Sequence, residues 1–217
     1  MMCGLGRLTG LLAMLALAAC VTQTAGLQSG PASVLQAMPS ETRGRVAQTV
    51  AMIDRSAIGS IVADAMAAEK GKLRGELDKR HGVASQNTAE CMTKVVDPSF
   101  QLGIDYLKLE LARLLTEHFS DAELATLGEL FRSREGAIAL RSAMDNKPIP
   151  QDAAIAVIAY RDRINPERMM SFANLMDVEK PRVIQSITSE VLKTMKKTVP
   201  PQTLRDCDIP SVTGGVA

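Results

Sequence analysis

Few side chains in this sequence are of the types that do chemistry, and their spacing decides which chemistry is open to them. The thiols are Cys3, Cys20, Cys91 and Cys207, with no CxxC pair and no histidine beside Cys91 or Cys207. The activation that a redox or nucleophilic cysteine needs is therefore missing there. The imidazoles are His81, next to Gly82, and His118. Neither stands in HExxH or any comparable ligand spacing, so no metal centre and no Ser/His/Asp relay is expected. Carboxylates gather at Glu117, Asp121, Glu123 and Glu129, and two carboxyls, one acid and one base, are the machinery of glycan hydrolysis. Ser120 and Glu123 stand at S-x-x-E spacing, however, which assigns Glu123 to a capping box, and the other three read as solvated. Six aromatic residues and no Trp leave little to stack on a sugar ring. The leading expectation is a binding module with no catalytic residue, metal or cofactor; an envelope hydrolase using the carboxylates from Glu117 to Glu129 is the alternative.

Cys20 is the one thiol with a specific context. Residues 1–19 begin with a polar stretch carrying Arg7, continue through the apolar run LTGLLAMLALAA and end in small residues, the layout of a secretion signal. A helix of about a dozen residues covers about 18 Å of a hydrocarbon core about 30 Å thick, too little to span it. Leu17, Ala18, Ala19 and Cys20 resemble the lipobox of bacterial lipoproteins. The resemblance implies that the Cys20 thiol is coupled to diacylglycerol, that residues 1–19 are removed and that the new amino terminus is acylated, palmitate being the expected chain. Val21 after the cysteine, rather than Asp, resembles the pattern that goes to the outer membrane. The expected setting is thus the bacterial envelope, facing the periplasm. The first partner would be a lipid bilayer, through acylated Cys20, and the second an envelope protein. Several acyl chains at about 0.8 kcal/mol per buried methylene would hold the chain essentially permanently.

With Cys3 discarded and Cys20 lipidated, Cys91 and Cys207 remain. An oxidising exported compartment favours joining them; two separate buried thiols or one reactive thiol are the alternatives. Removal of residues 1–19 takes Arg7 away and turns the formal charge of +1 into a neutral chain. That excludes a strongly basic nucleic-acid binder and assigns membrane affinity to the acyl chains rather than to headgroup attraction. The cluster Arg161, Asp162, Arg163, Glu167, Arg168 mixes signs as solvated faces do, and Lys193, Lys196 and Lys197 fall where cations offset the carbonyl end of a helix. Met169, Met170, Met176 and Met195 read as core, with an adaptable groove as the sharper alternative.

Positioning of these residues falls to helices. The apolar content comes from Ala, Leu, Ile, Val and Met rather than aromatics, no alternating strand pattern stands out, and helical spacing recurs from Glu41 onwards. The expected fold is an all-α, irregular, single-domain bundle of about six to eight helices. Residues 20–40 read as the lipidated Cys and an uncharged flexible tether, shortened if Leu35 and Met38 dock on the body. Residues 41–207 read as the helical domain and 208–217 as a flexible tail. Ile58, Ile61, Val62, Met66, Leu73 and Leu77 line one long helix. A short helix carrying Cys91 is expected to stop at Asp97 and Pro98, and the segment from Ser99 to Phe119, apolar on more than one stripe, is the expected central helix. Further helices are expected after the Ser120 cap, after a break from Ser133 to Gly136, at 151–163, at 166–176 and, beginning at Pro181, to Thr198.

Within this series Phe119, Ser120, Glu123, Leu124, Phe131, Ser133 and Gly136 follow a pattern that resembles the core of the domain of unknown function 2059 family, helical domains of exported bacterial proteins, over residues 105–150. Leu130 and Arg134 stand where that pattern has an aromatic residue and a proline. The resemblance implies a helical, exported domain and carries no catalytic residue. Capping boxes and a Gly between two helices also occur as generic helix-hairpin chemistry.

Overall fold

The computed structural model describes residues 30–83, 85–144, 147–161 and 163–207. Residues 1–19, read as a signal, Cys20, residues 21–29 of the expected tether and residues 208–217, read as a tail, lie outside them. Among the described residues the chain is all-α, with no strand. Its helices are α1 (Pro31–Ala37), α2 (Ser40–Asp54), α3 (Ala57–His81), α4 (Gln86–Cys91), α5 (Asp97–His118), α6 (Asp121–Arg132), α7 (Arg134–Met144), α8 (Gln151–Arg161), α9 (Pro166–Thr198) and α10 (Pro201–Asp206), with a π turn at Met92–Val96. Ten described helices correct the expected six to eight: α1, α2 and α10 come in addition, and two expected helices merge.

The merged pair is α9. Pro181 lies inside it, removing one backbone hydrogen bond at about 3 kcal/mol. Yet Val183, Ile187, Val191 and Met195 beyond the proline continue in helical step the stripe of Phe172, Leu175 and Met176, and all pack on one apolar cluster. Burying each such aliphatic side chain contributes about 1.5–3 kcal/mol, so continuity of the stripe outweighs the break.

A second expected stop also vanishes. The chain passes from α4 through the π turn into α5 without leaving helix, and the Asp97 N–H reaches back five residues to the Met92 carbonyl. Pro98 has no N–H for the Lys94 carbonyl, and the wider turn just before it lets the chain pass the ring. The buried Ser99 hydroxyl donates to the Val95 carbonyl at 2.6 Å.

Residues 31–37, expected as tether, are helical. Pro31 occupies the first turn, where its fixed φ favours a helix start, and the Ser33 hydroxyl accepts from the Gly30 N–H at 3.1 Å. Val34, Leu35 and Met38 then pack on the body, which moves the tether's downstream boundary back to about Gly30.

α5 is the central helix. Phe100, Tyr106, Leu107 and Leu114 face a cluster with α3 and α9, while Leu109, Ala112 and Leu115 face a second one with Val46, Ile53, Leu124 and Leu127. The first cluster ends on Cys91 and Cys207, which form a disulfide with Cα atoms 5.5 Å apart. It ties the short C-terminal helix α10 to the start of the long helical run.

Candidate functional site

The residues that could carry function meet where α5, α6 and α9 come together. Phe119 ends α5 in an extended conformation and Ser120 caps α6. The Ser120 hydroxyl accepts from the Glu123 N–H at 3.4 Å, and Glu123 reaches back to accept from the Ser120 N–H at 2.9 Å. This is the expected capping box, in which two helix-end N–H groups are satisfied reciprocally. The same carboxylate accepts from the Ser120 hydroxyl at 2.6 Å and from Arg168 Nη1 at 2.7 Å, and its other oxygen from the Asn165 N–H at 3.3 Å. Asn165 in turn caps α9, its side-chain oxygen accepting from the N–H groups of Glu167 and Arg168.

Glu123 is therefore more than a cap: it is a buried joint between the starts of α6 and α9. The hydrogen bond from the Ser120 hydroxyl, then that from the Ser120 backbone, hold its carboxyl down at about 2 against a usual 4.5, and Asn165 and Arg168 add to this while burial opposes it. The aromatic edge of the joint is His118, Phe119 and Phe172, with ring centroids 5.2–5.5 Å apart. His118 Nε2 lies 3.0 Å from the Arg168 carbonyl oxygen. Beside it, Arg163, Ile164, Asn165, Pro166 and Glu167 line an open depression of about 610 Å³.

Each remaining carboxylate of the sequence cluster is occupied by an arginine. Asp121 accepts from Arg45 at 2.8 Å, Glu117 from Arg113 at 2.7 Å and Glu129 from Arg163 at 2.9 Å. Carboxylate-pair hydrolysis needs one carboxyl held protonated by a raised pKa, and Glu123 is shifted the opposite way. The joint holds the starts of α6 and α9 together.

Ser133 and Gly136 build the other corner of α6. The Ser133 hydroxyl donates to the Leu130 carbonyl at 2.7 Å and accepts from the Gly136 N–H at 2.9 Å. A Cβ on Gly136 would stand 1.9 Å from the Leu130 carbonyl oxygen, so only glycine lets α7 start this close to α6. Leu124 is buried and Phe131 packs half-buried on the second cluster.

No family model, curated protein or solved structure matches this chain.

The other sequence candidates are dispersed. His81 is the last residue of α3, ahead of Gly82 at φ 93°, and among the described residues no group of His, Cys, Asp and Glu side chains is placed to hold a metal. Arg168 joins Glu123 rather than water alone, whereas Arg163 stays in an exposed pair with Glu129; Asp162 lies outside the described residues. Lys193 pairs with Glu190 within α9. Met169 packs on the second cluster, Met176 and Met195 on the first, and Met170 points outward at 69% exposure, so the methionines form no common groove. The sequence reading missed Arg45, Asn165 and Arg168 as partners of the capping segment, because contacts 42 to 76 residues apart leave no local pattern.

Proposed function

We propose that this protein is a lipid-anchored helical interaction module of the bacterial envelope, fastened to the outer membrane through acylated Cys20 and working by binding rather than by turnover. The observation that carries this reading is Leu17-Ala18-Ala19-Cys20 after an apolar run of export length. Two structural features support it. The disulfide between Cys91 and Cys207 suits an oxidising exported compartment. The carboxylates of the alternative hydrolase are held by arginines, and Glu123 is locked in its ionised form.

The resemblance to the domain of unknown function 2059 family belongs to the same proposal. Its residues Ser120, Glu123, Ser133 and Gly136 shape the two corners of α6, so the shared pattern is a folding pattern and brings an exported setting rather than an active site.

In-cell crosslinking of the anchored protein beside its Cys20→Ser form tests the reading. Envelope partners captured by the first and lost with the second are expected; capture indifferent to Cys20 contradicts it. Turnover of peptidoglycan or lipid by the purified protein, abolished by Glu117→Gln or Glu129→Gln, would favour the hydrolase instead.

A further inference from the structure

One helix is misplaced by the ordinary rule of burial. Between Asp152 and Arg161, α8 carries no charge, and from Ala153 to Ala159 every residue is Ala, Ile or Val. A helix apolar all round belongs in a core or in lipid. Instead α8 packs on α6 and α7, buries Ala153, and leaves Ile155 58% and Ile158 48% exposed, with Ala159 exposed beside them. Ile155, Ile158 and Ala159 are three and four residues apart and so share one face.

Resting on the anchor reading above, and deepening it, we propose that this face of α8 docks on the lipid surface to which Cys20 fastens the chain. The occupant follows from two observations. Only nine residues, ten Cα–Cα steps, lie between Cys20 and Gly30, so Gly30 can stand at most about 36 Å from the anchor. The face itself offers aliphatic carbon and no hydrogen-bonding group. Protein interfaces favour aromatics and arginine at their centre, whereas this face has only isoleucine and alanine, and Tyr160, five residues on from Ile155 and two from Ile158, falls on the opposite side of α8 with the buried Ala153. A purely aliphatic face on a chain held by acyl groups suits the boundary between headgroups and acyl chains. Eleven residues of helix measure about 16 Å, so α8 lies in the interface and does not cross it.

The sequence contains no tryptophan, which makes the test direct. Full-length protein purified from membranes is reconstituted in phosphatidylethanolamine–phosphatidylglycerol vesicles as the Ile158→Trp and the Gln185→Trp variant, the second being an exposed position on α9. Brominated lipids should quench the Ile158→Trp emission about twofold and leave the Gln185→Trp emission unchanged. Hydrogen exchange of residues 151–161 in the unmutated protein should slow about tenfold on vesicles. Acylated, vesicle-bound protein with neither effect overturns the docking and leaves the anchor standing. Protein that carries no acyl group and does not sediment with vesicles overturns the anchor and the docking together. A blue shift that grows with protein concentration, without quenching by brominated lipid, overturns the lipid surface in favour of a second copy of this chain.

Discussion

Arg168 reaches from the first turn of α9 to the buried Glu123 of α6, Nη1 to Oε2 at 2.7 Å, on a carboxylate that also closes its own helix's capping box. A single carboxylate thereby accepts from the Ser120 and Asn165 N–H groups at the starts of both helices and sets how α6 meets α9. Glu123→Gln keeps the volume but loses the charge that Arg168 and the Ser120 hydroxyl address. It should lower stability by about 1–3 kcal/mol, read from the urea midpoint, with the helical content of the folded protein unchanged.

The same carboxylate predicts an acid limb. Its folded pKa of about 2 lies below the ordinary 4.5, so its contribution is fully present above about pH 4.5 and is lost as pH falls toward 2. Stability of the unmutated protein should fall across that window more steeply than stability of Glu123→Gln, in parallel urea titrations. Equal slopes would show that the carboxylate is not held as described.

Glycines divide by what a methyl group would meet. Gly136→Ala drives its Cβ into the Leu130 carbonyl oxygen, 1.9 Å away, whereas a Cβ on Gly71 in α3 meets nothing within 4 Å. Gly71→Ala should raise stability by about 0.5–1 kcal/mol, while Gly136→Ala should cost about 3 kcal/mol or more through strain at the corner. Thermal midpoints moving in opposite directions are the check.

The disulfide spans 116 residues. On the chain-entropy account a loop of that length contributes about 4–5 kcal/mol. Replacing Cys91 and Cys207 together by alanine should lower the unfolding free energy by about that amount, and dithiothreitol should do the same to the unmutated protein. Unreduced peptide maps should show the two cysteines linked.

Local chemistry made much of this fold legible. The capping box at Ser120 and the apolar stripe of α3 are written in residues a few positions apart, and the structure reproduces both, while the expected break from Ser133 to Gly136 narrows to Ser133 because α7 starts at Arg134. Where reading failed, tertiary burial had overridden a local signal. Pro181 read as the start of a separate helix and Pro98 as a boundary between two, but the stripes on both sides of them face continuous cores, and the chain keeps its helix through one proline directly and through the other by a π turn. Pro31 to Met38 read as leash because the segment is uncharged and Ser- and Gln-bearing; its three apolar side chains gain a helix only from the body they cover. The joint at Glu123 was half legible: the cap is local, but Arg168 is 45 residues away and nothing in the sequence pairs them.

The anchor is tested most directly by the intact mass of the protein extracted from membranes. The account predicts a chain beginning at Cys20, heavier than its residues by a thioether-linked diacylglycerol and an amide-linked acyl chain, and held in the membrane pellet through high salt. A chain whose Cys20 thiol is free, recovered in the aqueous fraction, would contradict it.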